Sequence, residues 1–245
     1  MSKAIEVYSV TARRSKKVAK KKARKEAKRI NDILLGPLER PALAWLAARM
    51  PAWVVPDVLT AIGCLAAVVV AVGYWLTNFH PAFLWLASFG LLLNWFGDSL
   101  DGTLARYRKI ERPRYGFYID HAVDALNTVL IILGIGLSPY LKFELASMAL
   151  IGYLLLSILV YLNTHVNGVF KITFSRLGPT EARAIVILVN TLVFFFGDVI
   201  IQVPVIGELS LFNVAVVILT LVMFFFYVVS TVQGARELAE AEPPQ

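Results

Sequence analysis

Charge is scarce in this chain, and cysteine is almost absent. Only 17% of its 245 residues are charged, against 58% hydrophobic, and mean hydropathy is +0.68. That balance excludes an ordinary soluble domain. The single cysteine, Cys64, permits no disulfide within the chain and says little about redox compartment. With no second cysteine and no placed histidine pair, a zinc site lacks its ligands. The apolar runs lack the alternation of a closed barrel, and no internal repeat suggests the inverted halves of a transporter. The N-terminus lacks the apolar core of a cleaved secretory signal and is too basic and too long before the first apolar run.

What is present is a series of apolar runs of about 20 residues, each long enough to cross a hydrocarbon core of about 30 Å. Six spans are expected, at about 58–77, 82–106, 117–138, 143–163, 180–201 and 210–233. The expected fold is an all-α membrane protein of six transmembrane helices, preceded by an interfacial amphipathic helix, with both termini cytosolic. Four regions follow: a flexible basic extension (1–29), the interfacial region (30–54), a six-span catalytic domain (55–235) and a short cytosolic tail (236–245). In the interfacial region Ile30, Ile33, Leu34, Leu38, Leu43, Trp45, Leu46 and Met50 recur at roughly helical spacing. Pro37 and Pro41 should break that run, and Trp45 and Trp53 should sit near the headgroups. Asp57 is expected to cap the first span, Pro113 to break the loop 107–115, and Gly234 to end the sixth span. Asp198 and Glu208 are expected as outer boundary residues, in a turn over 202–209. Gly134 and Gly136 are expected to permit close helix packing.

With this topology 23 of the 24 Lys and Arg fall on the cytosolic side, and only Lys142 lies outside. That is a strong positive-inside pattern. Eleven of the basic residues lie between Arg13 and Arg29, with one acid, Glu26. Ahead of a membrane domain such a segment suits the anionic cytosolic leaflet better than nucleic acid, and no nucleic-acid partner is expected. A solvated tail that fixes topology is an equal reading.

The chemistry concentrates between Asp98 and Asp124, where four carboxylates fall within 27 residues. Carboxylates near membrane depth need pairing, water or metal. Asp98 and Asp101 share one helical face, as do Asp120 and Asp124 on the next helix. A short loop joins the two helices, so they should pack antiparallel and bring all four acids together. Hard divalent cations with oxygen ligands would relieve the repulsion, and two Mg²⁺ or Mn²⁺ ions would balance the charge. Gly102, Ala105 and Gly116 leave room for a flat group to approach the backbone, and Arg106 is a phosphate donor by type. These parts suit phosphoryl transfer on a nucleotide diphosphate.

The joint pattern D-x-x-D-G-x-x-A-R, nine residues, then G-x-x-x-D-x-x-x-D fixes eight positions. It resembles the signature of the CDP-alcohol phosphotransferase family of integral membrane phospholipid-synthesis enzymes, at Asp98, Asp101, Gly102, Ala105, Arg106, Gly116, Asp120 and Asp124. The stretch from Val55 to Gly63 also resembles the family's approach to its first span, with Asp57 where Asn is common. The resemblance implies transfer of a phosphoalcohol group from a CDP-linked donor to a hydroxyl acceptor, with release of CMP. It implies that the four aspartates hold two metal ions. Asp101, Gly102, Ala105, Arg106 and Gly116 would line the cytidine diphosphate pocket, and Asp124 would be the general base. It further implies a homodimer, in the bacterial inner membrane or the endoplasmic reticulum.

The alcohol is less legible. Asp120-His121, and Thr164-His165-Val166-Asn167-Gly168 followed by Thr180-Glu181, resemble the choline and ethanolamine branch, which acts on diacylglycerol. Lys171, Arg176 and Arg183 suit instead an anionic acceptor used with CDP-diacylglycerol, or are simply topological charge. His121 and His165 are ligand or hydrogen-bond candidates beside a plain structural role. Glu181 at a helix start would favour the helix dipole. Two other classes compete. A divalent-cation transporter or channel would need acids spread across the bilayer, and the mid-span segments lack them. A membrane scaffold with a lipid-binding tail leaves the eight-position pattern unexplained.

Overall fold

The computed structural model describes residues 34–167, 178–203 and 207–242. The basic extension 1–29, with Ile30 and Ile33, and the loop residues Gly168, Lys171 and Arg176 lie outside the described residues. Among those described, seven helices follow one another: α1 (Gly36–Arg49), α2 (Pro56–Leu76), α3 (Phe83–Tyr107), α4 (Pro113–Gly136), α5 (Phe143–Asn167), α6 (Pro179–Phe196) and α7 (Leu211–Ala241). The six from α2 onward are long and apolar enough to cross a membrane. Large apolar side chains such as Leu65 and Phe196 stand exposed on them, as lipid-facing surfaces require.

α2 is the hub of the bundle, packing against both α3 and α4. Its buried residues Leu59, Gly63, Ala66, Ala67, Val70, Gly73 and Tyr74 recur at helical spacing and form one narrow stripe of mostly small groups. Gly97 and Gly90 of α3 meet that stripe. A Cβ on Gly97 would come within 2.5 Å of Gly63 N and Leu59 O, so the two backbones touch there. Asn94 Nδ2 donates to Gly63 O at 2.9 Å beside this crossing. On the other flank a Cβ on Gly134 of α4 would lie 2.5 Å from Ala71 Cα, and one on Gly136 would lie 2.6 Å from Ala146 Cβ. The expected close packing at this glycine pair is observed.

The two motif helices, α3 and α4, were expected to pack on each other, and this is corrected. Gly90 and Gly97 of α3 and Gly134 of α4 all pack on α2, and the two helices share that partner without an extensive interface of their own. α5 continues the bundle against α4 and α7, while α6 packs on α3. Deep in the bundle Tyr74 Oη donates to Asn190 Oδ1 at 2.9 Å, and Asn190 Nδ2 donates to Ser88 Oγ at 3.0 Å. These buried bonds fix α6 to α2 and α3.

Several boundaries differ from expectation. Pro37 and Pro41 do not break α1. Pro37 lies in its first turn, where a missing N–H costs nothing, and Pro41 lies soon after within a single helix. α1 buries Gly36, Leu43 and Ala47, with Leu43 and Ala47 packed against Leu59, Leu100 and Leu104, and leaves Leu38 and Trp45 exposed. Asp57 is not the cap of α2. Val55 holds that place and Pro56 opens the helix. Asp57 instead accepts from Arg112 Nη2, at 2.6 and 2.7 Å on its two oxygens, joining the starts of α2 and α4. Pro113 opens α4 in place of breaking a loop. Gly234 does not end α7, which continues to Ala241 through good helix formers. Opposite the aspartates, the expected turn is a two-stranded hairpin, β1 (Ile200–Val203) antiparallel to β2 (Gly207–Ser210), with Gln202 opposite Glu208.

Arg108, just past α3, reaches back to the segment between α1 and α2. It donates to the carbonyls of Met50 at 3.0 Å and Pro51 at 2.8 Å, and also to that of Val54. The motif end of α3 is therefore wrapped by α1 and its connection.

Candidate active site

Three of the four motif aspartates converge. Asp98 comes from α3, and Asp120 and Asp124 lie one turn apart on α4. One carboxylate oxygen of each lies within 4.8 Å of the others, and all three are half-buried. Like charges this close repel, and α6 supplies a counter-charge: Arg183 Nη2 donates to Asp98 Oδ2 at 2.7 Å. The side chains of this pair are only 13% and 20% exposed, so solvent screens them little. Arg183 Nη1 is buried and has no partner among the described residues. The donor set of the cluster is purely carboxylate oxygen, which fits a hard divalent cation such as Mg²⁺ or Mn²⁺ and not a soft one.

Asp101 stands apart from that triplet. It shares the face of Asp98, as its spacing dictates, but its Oδ2 accepts from Thr60 Oγ1 of α2 and its Oδ1 from the Gly102 N–H. Of the four carboxylates expected to meet, three have an oxygen within 4.8 Å of one another, and Asp101 is held by Thr60 and the Gly102 N–H. Thr60 was not singled out as a partner. Its only sign in the sequence is a hydroxyl in the first turn of an otherwise apolar span.

The small residues lie as their spacing requires. Gly102 and Ala105 are half-buried, one turn from the aspartates. The guanidinium of Arg106 folds over Gly102: a Cβ there would meet Arg106 Nη1 at 3.3 Å, and Arg106 Nη2 donates to Thr103 Oγ1 at 3.1 Å. Gly116 faces open space, with nothing within 4 Å of a Cβ placed on it. Arg106 and Gly116 are both exposed.

His121 Nδ1 donates to Phe117 O at 2.8 Å and lies 3.6 Å from Asp120 Oδ2. Its ring packs between Phe117 and Tyr161, with centroids at 4.1 and 5.2 Å. It therefore flanks the cluster through Asp120. His165 is exposed near the end of α5. Of the basic candidates, Arg183 is brought to the aspartates, while Lys171 and Arg176 lie outside the described residues. Glu181 does more than favour a dipole. Its Oε2 accepts from Gly178 N at 2.9 Å and its Oε1 from Leu35 N at 2.7 Å, tying the start of α6 to the start of α1.

The model of the family described as CDP-alcohol phosphatidyltransferase matches residues 53–228, most of the chain. Cholinephosphotransferase 1 of Gallus gallus is 28% identical over 179 residues, covering 68% of this chain and 51% of that protein. Phosphatidylinositol phosphate synthase of Cutibacterium acnes is 36% identical over 91 residues, covering 37% of this chain and 41% of that protein. CDP-diacylglycerol–serine O-phosphatidyltransferase of Encephalitozoon cuniculi is 38% identical over 117 residues, covering 42% and 30%. The chain spans about half the length, or less, of the curated relatives it matches. The family match contains the whole of the motif, from Asp98 to Asp124, and all three converging carboxylates. The chain belongs to the CDP-alcohol phosphatidyltransferase family.

Proposed function

We propose that this protein transfers a substituted phosphate from a CDP-linked donor to a hydroxyl acceptor and releases CMP. The observation that carries the reading is the meeting of Asp98, Asp120 and Asp124 at one point, beside the small residues and Arg106. Asp98, Asp101, Asp120 and Asp124 would hold two Mg²⁺ or Mn²⁺ ions. When bound, such ions would neutralise the diphosphate and polarise the phosphorus under attack. Gly102, Ala105 and Gly116 leave the backbone accessible to the cytidine, and Arg106 swings from Thr103 to the diphosphate. Asp124 takes the proton of the acceptor hydroxyl as its oxygen bonds to the distal phosphorus. The bond from that phosphorus to the bridging oxygen breaks, and CMP leaves with the oxygen. Arg183 holds Asp98 in place and balances the cluster's charge. Thr60 does the same for Asp101 from the other side.

The leading reading of the substrates is a CDP-amino alcohol with diacylglycerol. It is supported by Asp120-His121 and by the long match to the Gallus gallus cholinephosphotransferase. A second reading, CDP-diacylglycerol with an anionic alcohol, is favoured by the buried Nη1 of Arg183, which has no partner among the described residues. In both, the site opens to the cytosol, where the positive-inside pattern puts the motif, and the protein acts as a homodimer among membrane lipids. The alternative of a divalent-cation transporter or channel gains no support, because the carboxylates cluster at one end of the bundle. The deciding experiment is CMP release by purified protein from a matrix of CDP donors and acceptor alcohols. Release with one pair establishes reaction and substrate together. No release from any pair, with divalent cation present, ends the reading.

A further inference from the structure

Glu39 of α1 lies outside the family motif. Its Oε1 nevertheless accepts two hydrogen bonds, from Trp95 Nε1 and from Thr180 Oγ1, both at 2.8 Å. Those partners are informative. Trp95 stands one helical turn before Asp98 on α3, and Thr180 one turn before Arg183 on α6. One carboxylate oxygen thus joins the same two helices that the Arg183–Asp98 pair joins, a turn away on each. α3 and α6 run in opposite directions, so the two ties cross. Deeper in the bundle α6 is held by the buried Asn190 bonds to Tyr74 and Ser88. At the level of the aspartates its fixed points are Arg183, Thr180 and Glu181, and the last two are bonded to α1.

We infer that Glu39 is a positioning residue for the reaction. From α1 it sets the spacing and register of α3 and α6, so that the Arg183 guanidinium reaches Asp98. The requirement is for an acceptor oxygen at that point, since both partners are donors; negative charge is not itself needed. Loss of the acceptor leaves a half-buried indole N–H and a hydroxyl without that partner and leaves the first turn of α6 tied to the start of α1 through Glu181. Displacement of a catalytic group by about 1 Å is enough to cost on the order of a hundredfold in rate. The inference rests on the reaction proposed above.

The test is a double-mutant cycle on CMP release, run on the full-length protein with the best substrate pair. Glu39→Leu should lower kcat/KM about tenfold or more, because the acceptor is gone. Glu39→Gln, which keeps an oxygen in place, should stay within about twofold of the parent protein. Thr180→Val, a milder change that keeps the Trp95 bond, should fall between them. Each Glu39 or Thr180 loss should largely vanish when Arg183 is already Gln, because the group being positioned is then absent. Glu39→Gln as poor as Glu39→Leu, or losses that multiply with Arg183→Gln, would overturn the inference. If Glu39→Leu does not fold, Thr180→Val and Glu39→Gln carry the same cycle alone. Parent protein that releases no CMP sinks the proposed reaction; an active parent with multiplying losses sinks only the positioning role.

Discussion

Arg183 and Asp98, 85 residues apart in sequence, form a 2.7 Å ion pair that ties α6 to the aspartate cluster. The pair is mostly shielded from solvent, and Asp98 faces two further carboxylates at once. Removing the arginine leaves that charge uncompensated. Arg183→Gln should therefore lower stability in EDTA by about 3 kcal/mol. Divalent cation should restore more stability to the variant than to the parent, because it takes over the counter-charge that Arg183 supplied. Thermal unfolding with and without Mg²⁺ or Mn²⁺ checks this, and equal metal-induced shifts in the two proteins would contradict it.

Asp124→Asn keeps the shape of the side chain and removes its basicity and charge. CMP release should drop at least about a hundredfold while the protein remains folded. Chelation by EDTA should abolish release in the parent protein, and Mg²⁺ or Mn²⁺ should restore it. Turnover that survives EDTA would remove the metals from the proposed reaction.

Two glycines of the same region should respond in opposite ways. Gly97→Ala would place a Cβ 2.5 Å from the backbone of Gly63 and Leu59, so α2 and α3 must part. A loss of about 1–3 kcal/mol or more is expected, read as a lower unfolding temperature. Gly116→Ala meets nothing within 4 Å on an exposed part of α4 and should raise stability, by up to about 1 kcal/mol. Its effect should appear in the KM for the CDP donor, which rises if the cytidine approaches the backbone there. An unchanged KM would remove Gly116 from the nucleotide pocket.

Thr60→Val removes the hydroxyl that donates to Asp101 while keeping the volume of the side chain. Asp101 then loses one of its two partners, at a cost of about 1–2 kcal/mol. Activity should fall with it, and added divalent cation should recover part of the loss by replacing the missing partner. Activity equal to the parent at limiting metal would show that Asp101 needs no holding.

The spans were legible because a bilayer demands about 20 apolar residues in a row, a signal that tertiary packing does not disturb. The motif was legible because its acids recur at three and four residues, and the structure does bring Asp98, Asp120 and Asp124 together. Helix ends were less so. Pro113 reads as a break yet opens a helix, since proline costs nothing in a first turn, and a lone Gly234 yields to the helix formers after it. What periodicity could not reveal are pairings across the chain. Thr60 with Asp101, Glu39 with Thr180, and Glu181 with Leu35 are separated by 41, 141 and 146 residues. A single polar residue in an apolar run carries no mark of which distant helix will face it. The Thr60 bond to Asp101 is hidden for that reason: the spacing gives the face of Asp101, but one of its two donors belongs to α2.

The contact of Gly97 with Gly63 has a consequence for how the site meets changes in the bilayer. Asp98 is the next residue after Gly97, and its own N lies 3.4 Å from where a Gly63 Cβ would stand. The backbone that carries Asp98 is thus indexed to the main chain of α2, with no side chain between the two helices there to absorb or amplify a shift. Lateral pressure, lipid thickness or temperature can repack the loosely covered outer helices while α2 and α3 travel as one rigid piece. The first aspartate then keeps its place relative to that piece, and adjustment falls to α5 and α7, which carry none of the three converging carboxylates.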